Sequence, residues 1–196
     1  MDAITISAGV VFIAEFGDKS QLLALTMATR HRLGAVVLAV VTTAVVATSL
    51  SAFAGGLLPT VLPPRMVAAV AGVLFIAFGV ATLRDRDGGT DDDTGGVGAA
   101  AVASSSAARR SALGLTAGLL VAELGDKTMF ATAGLAAEFG VVGSWVGAAV
   151  GMALAGLVGV LVGARLARWV PAQGVRIASA AVFVVVGASF LWSALV

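Results

Sequence analysis

Six apolar stretches divide the chain, and each is long enough to cross a lipid bilayer. They occupy residues 4–28, 33–58, 66–83, 112–137, 141–164 and 175–196, and Arg, Pro or small polar residues separate them. A helix needs about 20 predominantly apolar residues to cross a hydrocarbon layer about 30 Å thick. The pattern therefore predicts an all-α integral membrane protein with six transmembrane helices.

The first apolar stretch is expected to stay in the protein as a span. The sequence M-D-A-I-T-I-S begins with an acid where a signal peptide has a basic region, and the apolar run that follows is longer than a signal peptide's apolar core. The polar stretch 85–110 is different, because its Gly, Ser, Ala and Asp residues cannot build a core. It predicts a flexible linker between a first unit, 1–84, and a second, 111–196.

The two units repeat each other without a gap. At a constant offset of 108, four residues of the first unit match four of the second, namely Glu15, Gly17, Asp18 and Lys19 with Glu123, Gly125, Asp126 and Lys127. Matches continue to the last span of each unit, where Phe75 pairs with Phe183 and Gly79 with Gly187. Each unit has three predicted spans, so the second copy crosses the membrane in the opposite sense. This predicts two inverted three-helix repeats, typical of secondary transporters with a midplane site.

The basic residues predict the orientation. One side of the predicted topology receives nine arginines, which are Arg30, Arg32, Arg84, Arg86, Arg109, Arg110, Arg165, Arg168 and Arg176, and the other side receives only Arg65. Cytoplasmic loops carry the excess of Lys and Arg. We therefore expect a cytoplasmic linker 85–110 and both termini outside.

Composition excludes several classes of function. Hydrophobic residues make up 59% of the chain and charged residues 12%, against about 25% charged residues in soluble domains. The spans leave no room for a soluble catalytic or nucleic-acid-binding domain. The chain has no Cys and a single His, His31, which excludes thiolate catalysis and Cys-ligated zinc. We expect no enzyme activity, no resident cofactor and no nucleic-acid partner, and the oligomeric state stays open.

Two short motifs place charge inside the first and fourth predicted spans. They read E-F-G-D-K-S at 15–20 and E-L-G-D-K-T at 123–128. A charged side chain at the bilayer centre costs at least about 2.5–3.5 kcal/mol, so such residues normally face a partner, a cavity or an ion path. In a continuous helix, the acids of each motif, three residues apart, share one face.

Antiparallel approach of the two motif helices is expected to gather four carboxylates, those of Glu15, Asp18, Glu123 and Asp126. Ser20 and Thr128 add hydroxyls, and Gly17 and Gly125 weaken the helix so that a carbonyl becomes available. Oxygen donors without sulfur or imidazole favour a hard cation such as Ca²⁺ or Mn²⁺.

The same four carboxylates are expected to bind protons when no cation is present, because low dielectric disfavours accumulated negative charge. Cation and proton then compete for the same oxygens. An ammonium group cannot coordinate a metal, so Lys19 and Lys127 are assigned to charge tuning.

Other interpretations stay open from the residues alone. Each motif could be an ion-pair network that fixes helix register, although it leaves a surplus negative charge. The acids could instead serve a proton-coupled exporter of another cationic solute, or the protein could be a structural membrane protein. Small residues recur every fourth position in the second span of each unit, from Ala39 to Gly55 and from Gly147 to Gly163, which favours close helix packing. Thr43 and Ser51 in the first of these stripes could add hydroxyls to a cavity.

The doubled motif E-x-G-D-[K/R]-[S/T] resembles that of a family of calcium/manganese–proton exchangers, which includes eukaryotic Golgi transporters and bacterial manganese exporters. The resemblance covers the whole chain. It implies a cation site made by six residues: Glu15, Asp18, Ser20, Glu123, Asp126 and Thr128. It also implies a plasma-membrane exporter of Mn²⁺ or Ca²⁺ against H⁺. Gln21 and Met129 follow the two motifs, and their involvement is left open.

The orientation is testable because the chain has no native cysteine. An Asp92→Cys variant is expected to react with a membrane-impermeant maleimide only after the cells are permeabilised, since the linker is cytoplasmic. A Glu138→Cys variant, in a loop predicted to lie outside, is the matched control and should react in intact cells. Labelling at position 92 in intact cells contradicts the orientation.

Overall fold

The computed structural model describes residues 2–16, 24, 27–28, 31–84, 112–123, 125–166 and 172–196. Bounded helices in these ranges are α1 (Asp2–Glu15), α2 (Leu33–Val61), α3 (Pro64–Arg84), α4 (Ala112–Glu123), α5 (Lys127–Phe139), α6 (Val141–Leu166) and α7 (Ala172–Leu195). The described part of the chain contains no strand. The fold is all-helical, as the sequence predicts.

Four of the helices contain a stretch that is long and apolar enough to cross a membrane. These stretches are Leu33–Val61, Pro64–Arg84, Val141–Leu161 and Gln173–Leu195, and α1 adds a shorter apolar helix. Large apolar side chains point out of the bundle along them, as at Phe53, which is 64% exposed, and Val185, which is 68% exposed. The hydrocarbon chains of a bilayer can cover such an apolar surface. The protein is a multi-pass membrane protein.

The four long helices agree closely with the predicted spans 33–58, 66–83, 141–164 and 175–196. The predicted continuous span 112–137 is wrong, because the chain forms two helices there, α4 and α5, that are separated at residues 124–126. The first predicted span, 4–28, contains α1 and the helical residues Ala24, Met27 and Ala28. Most of residues 17–30, and the predicted linker 85–110, lie outside the described residues.

Glycines set the closest helix contacts. Helix α1 packs along α6, where a Cβ at Gly147 or Gly151 would overlap a backbone carbonyl of α1. Helix α2 packs along α5, and a Cβ at Gly55 would overlap the backbone of Ala133. Small residues allow backbones to approach this closely. These contacts agree with the packing role predicted for the small-residue stripes.

Helices α3 and α7 pack together beside this group. A Cβ at either Gly72 or Gly187 would come within 2.8 Å of the other glycine's carbonyl oxygen. Next to the crossing, the ring of Phe75 lies 5.6 Å from that of Phe183 and 5.4 Å from that of Phe190, and all three side chains are buried. The remaining helices, α1, α2, α4, α5 and α6, surround the two motif glutamates.

Candidate cation site

The second motif forms a break between two helices. Helix α4 ends at Glu123 and α5 begins at Lys127. Between them, Gly125 has φ +85° and Asp126 has extended backbone at φ −75° and ψ 160°. Glycine adopts positive φ without the steric cost that a Cβ imposes. Gly125, which was predicted to weaken the helix, therefore lies at the break between α4 and α5.

Local hydrogen bonds hold the break in shape. The Asp126 N–H donates to the Glu123 carbonyl at 3.1 Å, and the Met129 N–H donates to the Asp126 carbonyl at 3.0 Å. The Met129 sulfur accepts from the Gly125 N–H at 3.4 Å. Met129, whose involvement the motif left open, thus supports the backbone of the break.

Three carboxylates meet at this break. One side-chain oxygen from each of Glu15, Glu123 and Asp126 lies within 4.8 Å of the other two. The side chains of Glu15 and Glu123 are only 4% and 3% exposed, and Asp126 is half-buried. The predicted convergence of these three acids is observed, although Glu15 lies more than 100 residues before the other two in sequence.

The route to this convergence differs from the prediction. Glu123 and Asp126 were expected to share the face of a continuous helix, and that expectation is wrong because the helix ends at Glu123. The extended backbone at Asp126 brings its carboxylate to the glutamates instead.

The other predicted residues divide into two groups. Thr128 is buried, and its hydroxyl donates to the Asp126 carboxylate at 3.3 Å. Lys127, the first residue of α5, is half-buried. Asp18, Lys19, Ser20 and Gln21 lie outside the described residues. The described part of the site therefore contains three carboxylates and one hydroxyl of the predicted set.

Helix ends add to the negative character of the site. Glu15 and Glu123 are the last residues of α1 and α4, and the C-terminus of a helix carries a partial negative charge from unsatisfied carbonyls. Carboxylates at such ends repel each other and the helix dipole, and a cation relieves both repulsions. Ends of broken helices coordinate cations in transporters for this reason.

A small cavity opens beside the two glutamates, with a volume of about 30 Å³. It lies between helices α1, α2, α4 and α6 and is lined by Glu15, Ala24, Val40, Thr43, Leu119, Glu123, Met152 and Gly156. The Thr43 hydroxyl donates to the Thr116 carbonyl at 3.3 Å, so it links α2 to α4 beside the cavity. The expectation that Thr43 adds a hydroxyl to a cavity is confirmed.

A second pocket adjoins Glu123, and its lining includes Ser51 and Thr128. It also includes two threonines that the sequence alone did not distinguish, Thr48 and Thr132. Hydroxyls in apolar helices are commonly interpreted as packing residues. The two repeats differ at these positions, because at offset 108 Thr48 corresponds to Gly156 and Thr132 corresponds to Ala24. This difference is the sequence signal that marks the two threonines.

The geometry of the break is testable with a pair of glycines. Gly125→Ala and Gly140→Ala each place a Cβ on a positive-φ backbone with no other atom within 4 Å, so each is expected to cost about 1–3 kcal/mol of stability. Only Gly125 lies between the acids, so only Gly125→Ala should reduce the thermal stabilisation that added Mn²⁺ gives the purified protein. A full Mn²⁺ shift in Gly125→Ala contradicts a role for the break in cation binding.

Comparison with known proteins adds independent information. The family model described as "Divalent cation/proton antiporter GDT1" matches residues 3–90 and 111–196. A protein of Vibrio cholerae serotype O1 (strain ATCC 39541 / Classical Ogawa 395 / O395), named "Putative manganese exporter", is 31% identical over 187 residues. That similarity covers 93% of this chain and 87% of the relative. No solved structure gives a significant match.

Proposed function

Because the chain belongs to the GDT1 family of divalent cation/proton antiporters, we propose that it exports Mn²⁺ or Ca²⁺ in exchange for protons that occupy the same carboxylates. The family is one of transporters rather than enzymes. The observation that carries the proposal is the convergence of Glu15, Glu123 and Asp126 inside the helical bundle.

The spacing of the three oxygens suits one hard cation. Calcium binds oxygen ligands at about 2.3–2.6 Å, so two oxygens on opposite sides of the ion are roughly 5 Å apart. The three carboxylate oxygens lie within 4.8 Å of one another, which fits a single coordination shell after small side-chain adjustments. Asp18, Ser20 and Thr128 complete the proposed ligand set, with Asp18 and Ser20 assigned from the motif.

Protons act on the same oxygens in this proposal. Three carboxylates this close cannot all stay ionised without a counter-charge, since low dielectric strengthens their repulsion. A divalent cation supplies that charge on one side of the membrane, and protons supply it on the other. Glu15, Asp18, Glu123 and Asp126 are the proposed coupling residues, and Lys19 and Lys127 adjust the remaining charge.

Alternating access is proposed to come from two inverted repeats, 1–84 and 111–196, joined by the linker 85–110. Two features support this plan. Helices α1 and α4 both end at the glutamate of their motif, and the repeat-related rings of Phe75 and Phe183 meet where α3 crosses α7. Relative movement of the repeats would open the site to one side at a time.

The proposed setting is the plasma membrane, with the linker in the cytoplasm and both termini outside. The excess of loop arginines on the linker side supports this orientation. The name of the Vibrio relative supports export and Mn²⁺ as a substrate. The cavity of about 30 Å³ has room for only a few water molecules at most, and this small size favours a monatomic cation over a larger cationic solute.

Neutralising either buried glutamate tests the exchange. Glu15→Gln and Glu123→Gln are expected to abolish coupled Mn²⁺ or Ca²⁺ flux in proteoliposomes with an imposed pH gradient. An amide can neither release a proton nor supply the negative charge that replaces the cation's hydration shell. The shorter Glu15→Asp keeps the charge and should retain part of the flux.

The matched control is Glu138→Gln, because Glu138 is an exposed acid near the end of α5, away from the cluster. This variant should transport like the unmodified protein. Normal flux in the Glu15 and Glu123 variants, or flux that continues without proton movement, means that the protein is not this exchanger.

A further inference from the structure

The second pocket adjoins the cavity that contains Glu15 and continues farther along α2. Along α2, the cavity is lined by Val40 and Thr43, and the second pocket by Ala47, Thr48 and Ser51. Glu123 and Met152 line both. The two spaces therefore follow each other along the direction in which a cation would cross the membrane.

Buried hydroxyls dominate the second pocket. Thr48 and Ser51 project from α2, and Thr128 and Thr132 from the first turns of α5. All four side chains are at most 3% exposed. Among the described residues that line the pocket, Glu123 is the one with a carboxylate.

Two of these hydroxyls use their proton within α2. The Thr48 hydroxyl donates to the Ala44 carbonyl at 2.7 Å, and the Ser51 hydroxyl donates to the Ala47 carbonyl at 2.8 Å. A hydroxyl has one proton to donate and two lone pairs to accept with. Since the proton is used within the helix, the lone pairs remain for a water molecule or a hard cation.

Such bonds alone do not mark a function, because serine and threonine often donate to their own helix. Thr82, which lines neither pocket, donates to the Phe78 carbonyl at 2.8 Å in the same way. The distinguishing feature is that hydroxyls from two different helices converge beside Glu123.

Three of these four positions carry no hydroxyl in the other repeat. At offset 108, Thr48 corresponds to Gly156 and Thr132 to Ala24, and both counterparts line the cavity beside Glu15. Ser51 corresponds to Gly159. At the two positions that line both spaces, only the second pocket has hydroxyls.

We infer that Thr48, Ser51 and Thr132 form, with Thr128, a second and weaker binding station through which the divalent cation passes after leaving the carboxylates. This inference rests on the proposed function and adds to it a path on the α5 side of Glu123. Neutral oxygens replace part of the hydration shell without holding the ion as tightly as carboxylates do. A path must bind an ion strongly enough to admit it and weakly enough to release it.

The station is closed in this conformation, because the second pocket has no volume for a water molecule. Nearby, Gly55 on α2 packs directly against the backbone of Ala133 on α5. Separation of α2 from α5 would open the pocket while Glu123 remains in contact with both spaces. The hydroxyls therefore act during movement of the cation rather than during its first binding.

The test compares shape-conserving variants in proteoliposomes and in solution. The triple variant Thr48→Val, Ser51→Ala, Thr132→Val keeps side-chain size but removes the three hydroxyls. We expect Mn²⁺ flux to fall about tenfold or more, because the exit path loses its oxygens. Equilibrium binding of Mn²⁺ to the purified protein should stay within about twofold, because the carboxylates are unchanged.

Two matched controls separate the effect of losing these hydroxyls from the effects of other changes in the helices. Thr82→Val removes a hydroxyl with the same intrahelical bond outside the pocket and should leave flux unchanged. The double variant Thr48→Ser, Thr132→Ser keeps the hydroxyls and removes only methyl groups, so it should retain flux within about twofold of the unmodified protein.

The outcomes separate this inference from the proposed function. Full flux in the triple variant, while Glu123→Gln is inactive, overturns the hydroxyl station and leaves the exchanger intact. A loss of Mn²⁺ binding in the triple variant also overturns it, because the hydroxyls would then belong to the carboxylate site. An unmodified protein that moves no divalent cation overturns both.

Discussion

The repulsion among three carboxylates in a nearly dry interior is the constraint on which the structure depends. The oxygens of Glu15, Glu123 and Asp126 lie within 4.8 Å of one another, and both glutamates are almost fully buried. A metal ion or protons that bind to such a cluster relieve its repulsion. In the proposed function, the two kinds of ligand do so in turn.

The rest of the bundle brings these acids together and keeps them out of lipid. Glycine contacts set α1 against α6 and α2 against α5, so that two distant parts of the sequence meet at their glutamates. The break after Glu123 then directs Asp126 toward the same point. In the proposed alternating access, these helix contacts are the ones that would have to change.

The sequence predicts the membrane architecture well because lipid imposes simple requirements on it. Long apolar runs must be helices, and four of them are found close to their predicted bounds. Hydropathy does not reveal the break within residues 112–137, because apolar residues continue on both sides of it. The duplicated motif therefore identified three acids that meet, although the helix expected to carry two of them is broken. Thr48 was not singled out because a hydroxyl that donates to its own helix looks like a packing residue until its neighbours are known.

The central claim is that cation and proton use the same oxygens, and proton release on binding measures it most directly. Mn²⁺ is added to the purified protein in weakly buffered detergent solution, and the released protons are counted with a pH indicator. Binding to protonated carboxylates should release about one proton or more per cation, with apparent affinity weakening as the pH falls. Mn²⁺ binding that releases no protons and keeps the same affinity at every pH would contradict the account.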